Sequence, residues 1–427
     1  MAKKIPTTVF SRGTQLMGLA SKLAFKEISS RVKSEQGKIQ TRIQMAQDVV
    51  KTLSHMKGAS MKLGQLISMD MGEYLPPEIL TILEQLHNKV TFLPYSKIEA
   101  ILKSQLKEKF AHLSSISEQP LAAASIGQVH RATLDGEDVI IKVQYPGVAE
   151  SIPSDLKLLK FLVSHISFFQ GKEADMKPFF EEVEEVLTKE ADYYYELAMH
   201  ELYREKFKGS DFIIPKVYAN YSTKTIITQE YIEGISIKDW LETKPARELK
   251  DKFADQLMLL YMEEIFTHGL VQTDPNPGNF LVTPDQKIAL LDFGAVKSYD
   301  KKWIEGYRSV LIAGFHRDEK TLMKESIRLG FIDEREDDEV KALYLQMREV
   351  LAEPFRQDEN FDFADQAFLK KSRDLTWALS LKSKYSPPPR DLLFLHRKLV
   401  GIFVLIKKLE ARFKLKDYWY YVEPKKS

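Results

Sequence analysis

Cysteine is absent from the 427 residues, so the chain forms no disulfide, holds no metal through thiolate and uses no cysteine nucleophile. Long apolar runs are also missing. The longest, Leu399–Ile406, falls well short of the roughly 18–20 residues needed to cross a bilayer, and no transmembrane helix is predicted. Nor does one sign of charge prevail: 62 Lys plus Arg stand against 61 Asp plus Glu, which removes any global electrostatic case for nucleic acid, and no such partner is expected. The N-terminus lacks the apolar core of a secretory signal, and there is no internal repeat or low-complexity tract.

What is present can bury a large core. A hydrophobic content of 44% over 427 residues fits two or three units, at roughly 100–200 residues each. Residues 1–35 form a basic N-terminal segment. Within the first 45 positions Lys3, Lys4, Arg12, Lys22, Lys26, Arg31, Lys33, Lys38 and Arg42 outnumber Glu27 and Glu35. Leu16, Leu19, Ala20 and Leu23 share one side of a helix, so the segment reads as a basic helix on an anionic membrane surface, as a transit peptide, or as a solvated helix packed on the domain behind it.

From 36 to 115 the pattern is helical, with Ile39, Ile43, Ala46, Val50 and Leu53 at three-to-four spacing and a break at Leu75-Pro76-Pro77. From 116 to 232 the texture becomes β-like. Val129–Leu134, a turn at Asp135-Gly136 and Val139–Val143 predict a hairpin. An acid-rich helical stretch over about 154–208 precedes further β-like segments at Ile213-Ile214 and Thr225–Thr228. From 233 to 427 the chain reads as mostly helical, apart from the loops between Asp274 and Gly294.

Those loops carry the chemistry. Asp274-Pro-Asn-Pro-Gly-Asn279 is followed thirteen residues after Asn279 by Asp292-Phe293-Gly294. Protein kinases space a catalytic-loop Asp and Asn five positions apart and complete the Mg²⁺ site with the Asp of Asp-Phe-Gly. Upstream, Ala122, Ala124, Gly127 and Val129 fall where a phosphate-binding loop has three glycines and a valine, with Ala123 and Ser125 between them. Two missing glycines narrow the backbone angles where phosphate oxygens approach. Lys142, after Val139-Ile140-Ile141, takes the place of the strand lysine that neutralises the α- and β-phosphates. Its glutamate partner is open on spacing alone among Glu182, Glu185, Glu190, Glu196 and Glu201, most of which are expected on the solvated surface. Thr225–Ile232 resembles a strand running into a hinge, where the Glu230 carbonyl and the Ile232 N–H would meet an adenine edge. Two departures stand out: Gln272-Thr273 replaces the His-Arg of protein kinases, and no Ala-Pro-Glu closes an activation segment, so the peptide-docking platform is missing.

With Lys62-Leu63-Gly64-Gln65, Ala122–Val129, Glu190-Ala191-Asp192 and Gln272–Asn279, the chain resembles the UbiB/AarF/ADCK-type atypical kinases over about residues 45 to 410. The resemblance implies an α+β, protein-kinase-like two-lobed fold with a helical N-terminal extension packed over the active site. It assigns catalytic roles to Asp274, Lys142, Glu196, Lys62, Gln65 and Glu190, with Asp192 completing the motif that the extension contacts. It assigns nucleotide contacts to Ala122, Ala123, Ala124, Ser125, Gly127, Val129, Lys142, Glu230 and Ile232, and metal binding to Asn279 and Asp292. The implied cofactors are ATP or ADP with Mg²⁺, and the implied activity is that of an ATPase or small-molecule or lipid kinase supporting ubiquinone or related isoprenoid-quinone biosynthesis. Expected partners are a lipid or isoprenoid phenol, an anionic membrane surface and quinone-biosynthesis enzymes. The expected location is cytoplasmic and peripherally membrane-associated, of bacterial type, ahead of a mitochondrial matrix face. A non-catalytic nucleotide-gated scaffold is the alternative, and a conventional Ser/Thr protein kinase the third.

Overall fold

Val139, Ile141 and Val143 leave the strand Glu137–Gln144 on one face and Lys142 and Gln144 on the other, because successive side chains of a strand alternate. The computed structural model describes residues 34–56, 92–167, 177–274, 276–363, 365–385 and 389–424, together with Lys62 and eight positions between 18 and 29. They divide into two compact units, one of residues 1–201 and 215–231, the other of residues 202–214 and 232–427.

In the first unit, helices α1 (Glu35–Met56) and α2 (Tyr95–Leu106) precede the strands β1 (Leu113–Ser114), β2 (Ala122–Ala124), β3 (Gly127–Leu134) and β4 (Glu137–Gln144). Helices α3 (Val148–Ser167), α4 (Lys177–Glu190) and α5 (Tyr193–Lys206) follow, the end of α5 from Leu202 counting with the second unit, and then β5 (Ile226–Glu230). The sheet is antiparallel in the order β1-β3-β4-β5, with β2 folded onto β3. The predicted hairpin forms as β3 and β4. Asp135 and Gly136 take φ of 49° and 91°, the left-handed pair that suits a two-residue turn between twisted strands. Ile98, Leu102 and Leu106 on α2 pack against Val139, Ile141, Val143 and Ile226, each contributing about 1.5–3 kcal/mol relative to exposure. The last helix before residue 116 is therefore part of the sheet's own core.

Near the N-terminus, Leu19 and Leu23 are buried, and Lys22 and Lys26 both reach Asp48 of α1 at 2.7 Å. Those four residues of the basic, apolar-striped segment are thus engaged within the protein, the packed reading among the three. Lys3, Lys4, Arg12, Leu16, Ala20, Arg31 and Lys33 lie outside the described residues.

The second unit holds β6 (Ile235–Ser236), β7 (Leu270–Gln272), β8 (Phe280–Val282), β9 (Ile288–Leu290) and β10 (Val296–Ser298). They form an antiparallel β6-β8-β9 sheet and a β7-β10 pair. Its helices are α6 (Ile237–Glu242), α7 (Arg247–Met262), α8 (Lys301–Phe315), α9 (Glu319–Arg328), α10 (Asp338–Arg356), α11 (Gln366–Lys382), α12 (Arg390–Leu409) and the short α13 (Trp419–Val422). Asp300, Asp318, Asp337 and Asp365 each accept a backbone N–H from the first turn of α8 to α11, satisfying donors that a helix start leaves open. The apolar run Leu399–Ile406 lies in α12, where Ile402, Leu405 and Ile406 are buried and Val400 and Val404 exposed. Among the described residues no helix is long and apolar enough to cross a membrane. Both units fit a kinase-like α+β fold.

Candidate active site

The first unit gathers one set of candidate residues at the junction of α4 and α5. Asp192 ends the helical run: its carbonyl accepts the N–H groups of Tyr195 and Glu196, and its Oδ1 accepts that of Tyr194 at 3.1 Å. Glu190 and Glu196 consequently lie on different helices, so the acid-rich stretch of about 154–208 is interrupted between them. Gln144 donates to the carbonyl of Ala191 at 3.0 Å and so ties β4 to this junction. Lys142, two residues earlier on the same strand face, places its Nζ 2.8 and 2.9 Å from the two carboxylate oxygens of Glu196. The fully buried ring of Tyr193 lies 5.2 Å from that ammonium, within reach of a cation–π contact.

Lys62 Nζ stands 3.1 Å from Glu190 Oε2, with both side chains 3% exposed. Leu63, Gly64 and Gln65 lie outside the described residues. Of the five glutamates that spacing left open, Glu182, Glu190 and Glu196 are buried, and Glu185 and Glu201 are exposed. The expectation that most are solvated is overturned: Glu190 is buried against Lys62, and the break at Asp192 re-aims Glu196 toward Lys142.

The alanine segment forms a hairpin. Ala122, Ala123 and Ala124 pair with Val129, Gln128 and Gly127, leaving Ser125 and Ile126 as the turn. Val129 lies opposite Lys142 on the neighbouring strand. Gly127 is the one position here where the backbone requires glycine, since a Cβ would sit 2.3 Å from the carbonyl oxygen of Val143. Glu230 ends β5 opposite Val139, and its N–H donates to the Lys216 carbonyl at 2.8 Å. Ile232 is half-buried and counts with the second unit.

The second unit gathers Asp274, Asn279 and Asp292. Asn276 accepts the Gly278 N–H at 2.9 Å and shapes the short turn that brings Asn279 back to Asp274. The Asn279 amide then donates to the Asp274 carbonyl at 3.1 Å and to its Oδ2 at 3.2 Å. With its amide protons so used, Asn279 has its side-chain oxygen to offer. Asp292 Oδ1 accepts the Gly294 N–H at 2.9 Å, and the Leu291 N–H reaches the Asn279 carbonyl at 3.0 Å. An amide oxygen and carboxylates are hard donors, the set that suits Mg²⁺ sharing its shell with phosphate oxygens. Phe293 is fully buried against the ring of Tyr203, centroids 4.7 Å apart. Tyr193, Tyr203 and Gln144 were not foreseen from the sequence. A tyrosine run at a helix start and a glutamine at a strand end carry no signal until their partners are known.

The ABC1 atypical kinase-like domain description matches residues 85–326. The chain is 34% identical over 96% of its length to the mitochondrial atypical kinase COQ8 of Saccharomyces cerevisiae, covering 84% of that protein. To the mitochondrial atypical kinase COQ8B of Danio rerio it is 31% identical over 97% of its length, covering 68% of that protein. Among solved structures it is similar to the Mycobacterium tuberculosis protein Rv3197 in complex with erythromycin, with TM-score 0.61 and 25% identity over 92% of this chain and 99% of that one.

Proposed function

Because the chain belongs to the ABC1 atypical kinase-like family, we propose that it binds ATP or ADP with Mg²⁺ and works as an ATPase or small-molecule or lipid kinase supporting ubiquinone or a related isoprenoid-quinone pathway at a membrane surface. The observation that carries the reading is the Lys142–Glu196 pair, whose ammonium is held 2.8 Å from Oε1 where the kinase pattern needs a cation for the α- and β-phosphates. In this reading Asn279 and Asp292 hold Mg²⁺, which when bound neutralises charge on the phosphate oxygens. Asp274, oriented by the Asn279 amide, accepts the proton of the attacking hydroxyl or water. The Ala122–Val129 hairpin covers the phosphates, Glu230 and Ile232 take the adenine edge, and Lys62, Gln65 and Glu190 restrict what else reaches the site. The membrane surface rests on the basic positions of residues 1–35 other than Lys22 and Lys26, both of which are engaged by Asp48.

Nucleotide hydrolysis measured with and without Mg²⁺, anionic liposomes and an isoprenoid phenol tests the proposal. Mg²⁺-dependent thermal stabilisation by nucleotide, lost in Asp292→Asn, and turnover raised by the liposome or phenol are expected. Stabilisation that survives Asp292→Asn would remove the metal assignment, and turnover indifferent to both additives would remove the membrane and quinone part.

A further inference from the structure

Glu264 and Lys398 form an ion pair inside the second unit, with Nζ 2.9 Å from Oε2 and both side chains 0% exposed. A buried pair is at best a weak source of stability compared with apolar packing of the same volume. Both residues stand on apolar stripes, Glu264 beside Tyr261 and Ile265 and Lys398 between Leu395 and Ile402, where a charged residue needs a partner. Burial pushes the Glu264 carboxyl above its usual range, and Lys398 is the strongest influence opposing that shift.

The pair also grips Gln272. Lys398 Nζ donates to Gln272 Oε1 at 3.3 Å, while Glu264 Oε1 accepts the Gln272 backbone N–H at 3.4 Å and the Tyr203 hydroxyl at 3.1 Å. The other end of the Gln272 amide, Nε2, donates to the Asp274 carbonyl at 2.7 Å and lies 3.5 Å from that of Asp292. An ammonium has donors only, so a Gln272 amide turned the other way would set N–H against Nζ and its oxygen against two carbonyls. One side chain thus spans the two loops that carry the acidic residues of the site, and a buried cation at its far end holds it in this sense.

We propose that Lys398, held by Glu264, is a positioning residue that fixes the amide sense of Gln272 and through it the main chain at Asp274 and Asp292. Its effect on turnover rests on the proposed phosphoryl chemistry, whereas its effect on the loops does not. Lys398→Met alone leaves Glu264 buried without its cation and invites misfolding, so the pair is replaced together as Glu264→Gln/Lys398→Met, alongside Gln272→Met and the triple variant. Each is expected to lower Mg²⁺-nucleotide turnover about tenfold with nucleotide affinity within about twofold of the parent, the pattern of lost positioning as opposed to lost binding. Because Lys398 acts through Gln272, the triple variant should be no slower than Gln272→Met.

Amide exchange without nucleotide should quicken at Thr273 and Leu291, whose N–H groups bond Ala295 and Asn279 at 2.7 and 3.0 Å, and stay unchanged along α8. Losses that multiply in the triple variant, or loop exchange equal to the parent in all three, would overturn the proposal. If the parent neither binds nor hydrolyses nucleotide, the functional reading fails, and the exchange measurement still decides this one.

Discussion

Lys142 Nζ faces both oxygens of the Glu196 carboxylate, at 2.8 and 2.9 Å, with the lysine side chain 10% and the glutamate 1% exposed. Strand alternation sets the lysine on the face away from the aliphatic core, and the helix start at Asp192 sets the glutamate one turn in. Removing either partner leaves a buried charge, so Lys142→Met and Glu196→Gln should each destabilise the protein by about 3–5 kcal/mol. The double variant should recover part of that loss and still not bind nucleotide. Chemical denaturation of the three variants checks this, and losses that simply add would show the two side chains to be uncoupled.

The alanine hairpin has two positions with opposite demands. Gly127→Ala would push a Cβ to 2.3 Å from the Val143 carbonyl oxygen, a backbone atom that moves only with its strand, so a loss of about 1–3 kcal/mol is expected. Ala124→Gly restores backbone freedom at the partner position without a clash. It is expected to shift preference from ADP toward ATP while stability changes by less than about 1 kcal/mol. Competition binding of the two nucleotides measures it, and an unchanged ratio would detach the alanines from nucleotide choice.

Much of this arrangement is legible in sequence because local rules suffice for it. The β3-β4 hairpin announces itself through Asp135-Gly136, and Asp274, Asn279 and Asp292 sit on short loops whose spacing reflects their geometry. The partner of Lys142 is not legible from spacing, because it depends on where one helix stops and the next begins. Asp192 caps α5, and that cap separates Glu190 from Glu196. Lys398 and Glu264 escape for another reason. Each looks like an interruption of an apolar stripe 134 positions from the other, and only the fold shows that the two interruptions meet.

His130 gives stability a pH dependence with a definite sign. It is fully buried, with Nδ1 2.7 Å from the Ser117 carbonyl and Nε2 2.9 Å from the Gln128 amide nitrogen. The carbonyl only accepts, so Nδ1 carries the proton and Nε2 accepts from Gln128, whose amide also bonds both backbone groups of Leu93. Burial lowers the His130 pKa, partly offset by the Ser117 carbonyl. The unfolded chain takes up the proton near 6.5 and the folded chain only at lower pH. Stability should therefore be full above about 7 and fall as pH drops through 6.5 toward the folded value. Denaturation at pH 7.5 and 5.5 should show a larger acid loss in the parent than in His130→Gln, and equal losses would assign the dependence to other groups.

Lys62 and Glu190 form another buried pair in the first unit, 3.1 Å apart with both side chains 3% exposed. A buried ion pair gains no stability that apolar packing would not supply equally well, so we propose that this pair acts as a specific latch. Gln272-Thr273 stands where protein kinases have His-Arg and no Ala-Pro-Glu follows Asp292-Phe293-Gly294, and the latch is expected to hold the extension as an autoinhibitory element that leaves nucleotide access intact. Lys62→Ala takes the cation from Glu190 and should loosen it. Phosphorylation of the protein itself or of added peptides is then expected to rise from near zero in the parent, with nucleotide affinity kept within about threefold, a shift of under 1 kcal/mol. Glu190→Gln should act in the same direction, since it breaks the same contact from the other side. Radiolabelled phosphate transfer on both variants decides the matter. A parent that already phosphorylates generic peptides, or two variants as silent as the parent with intact nucleotide binding, would show that the pair fastens the fold and gates nothing.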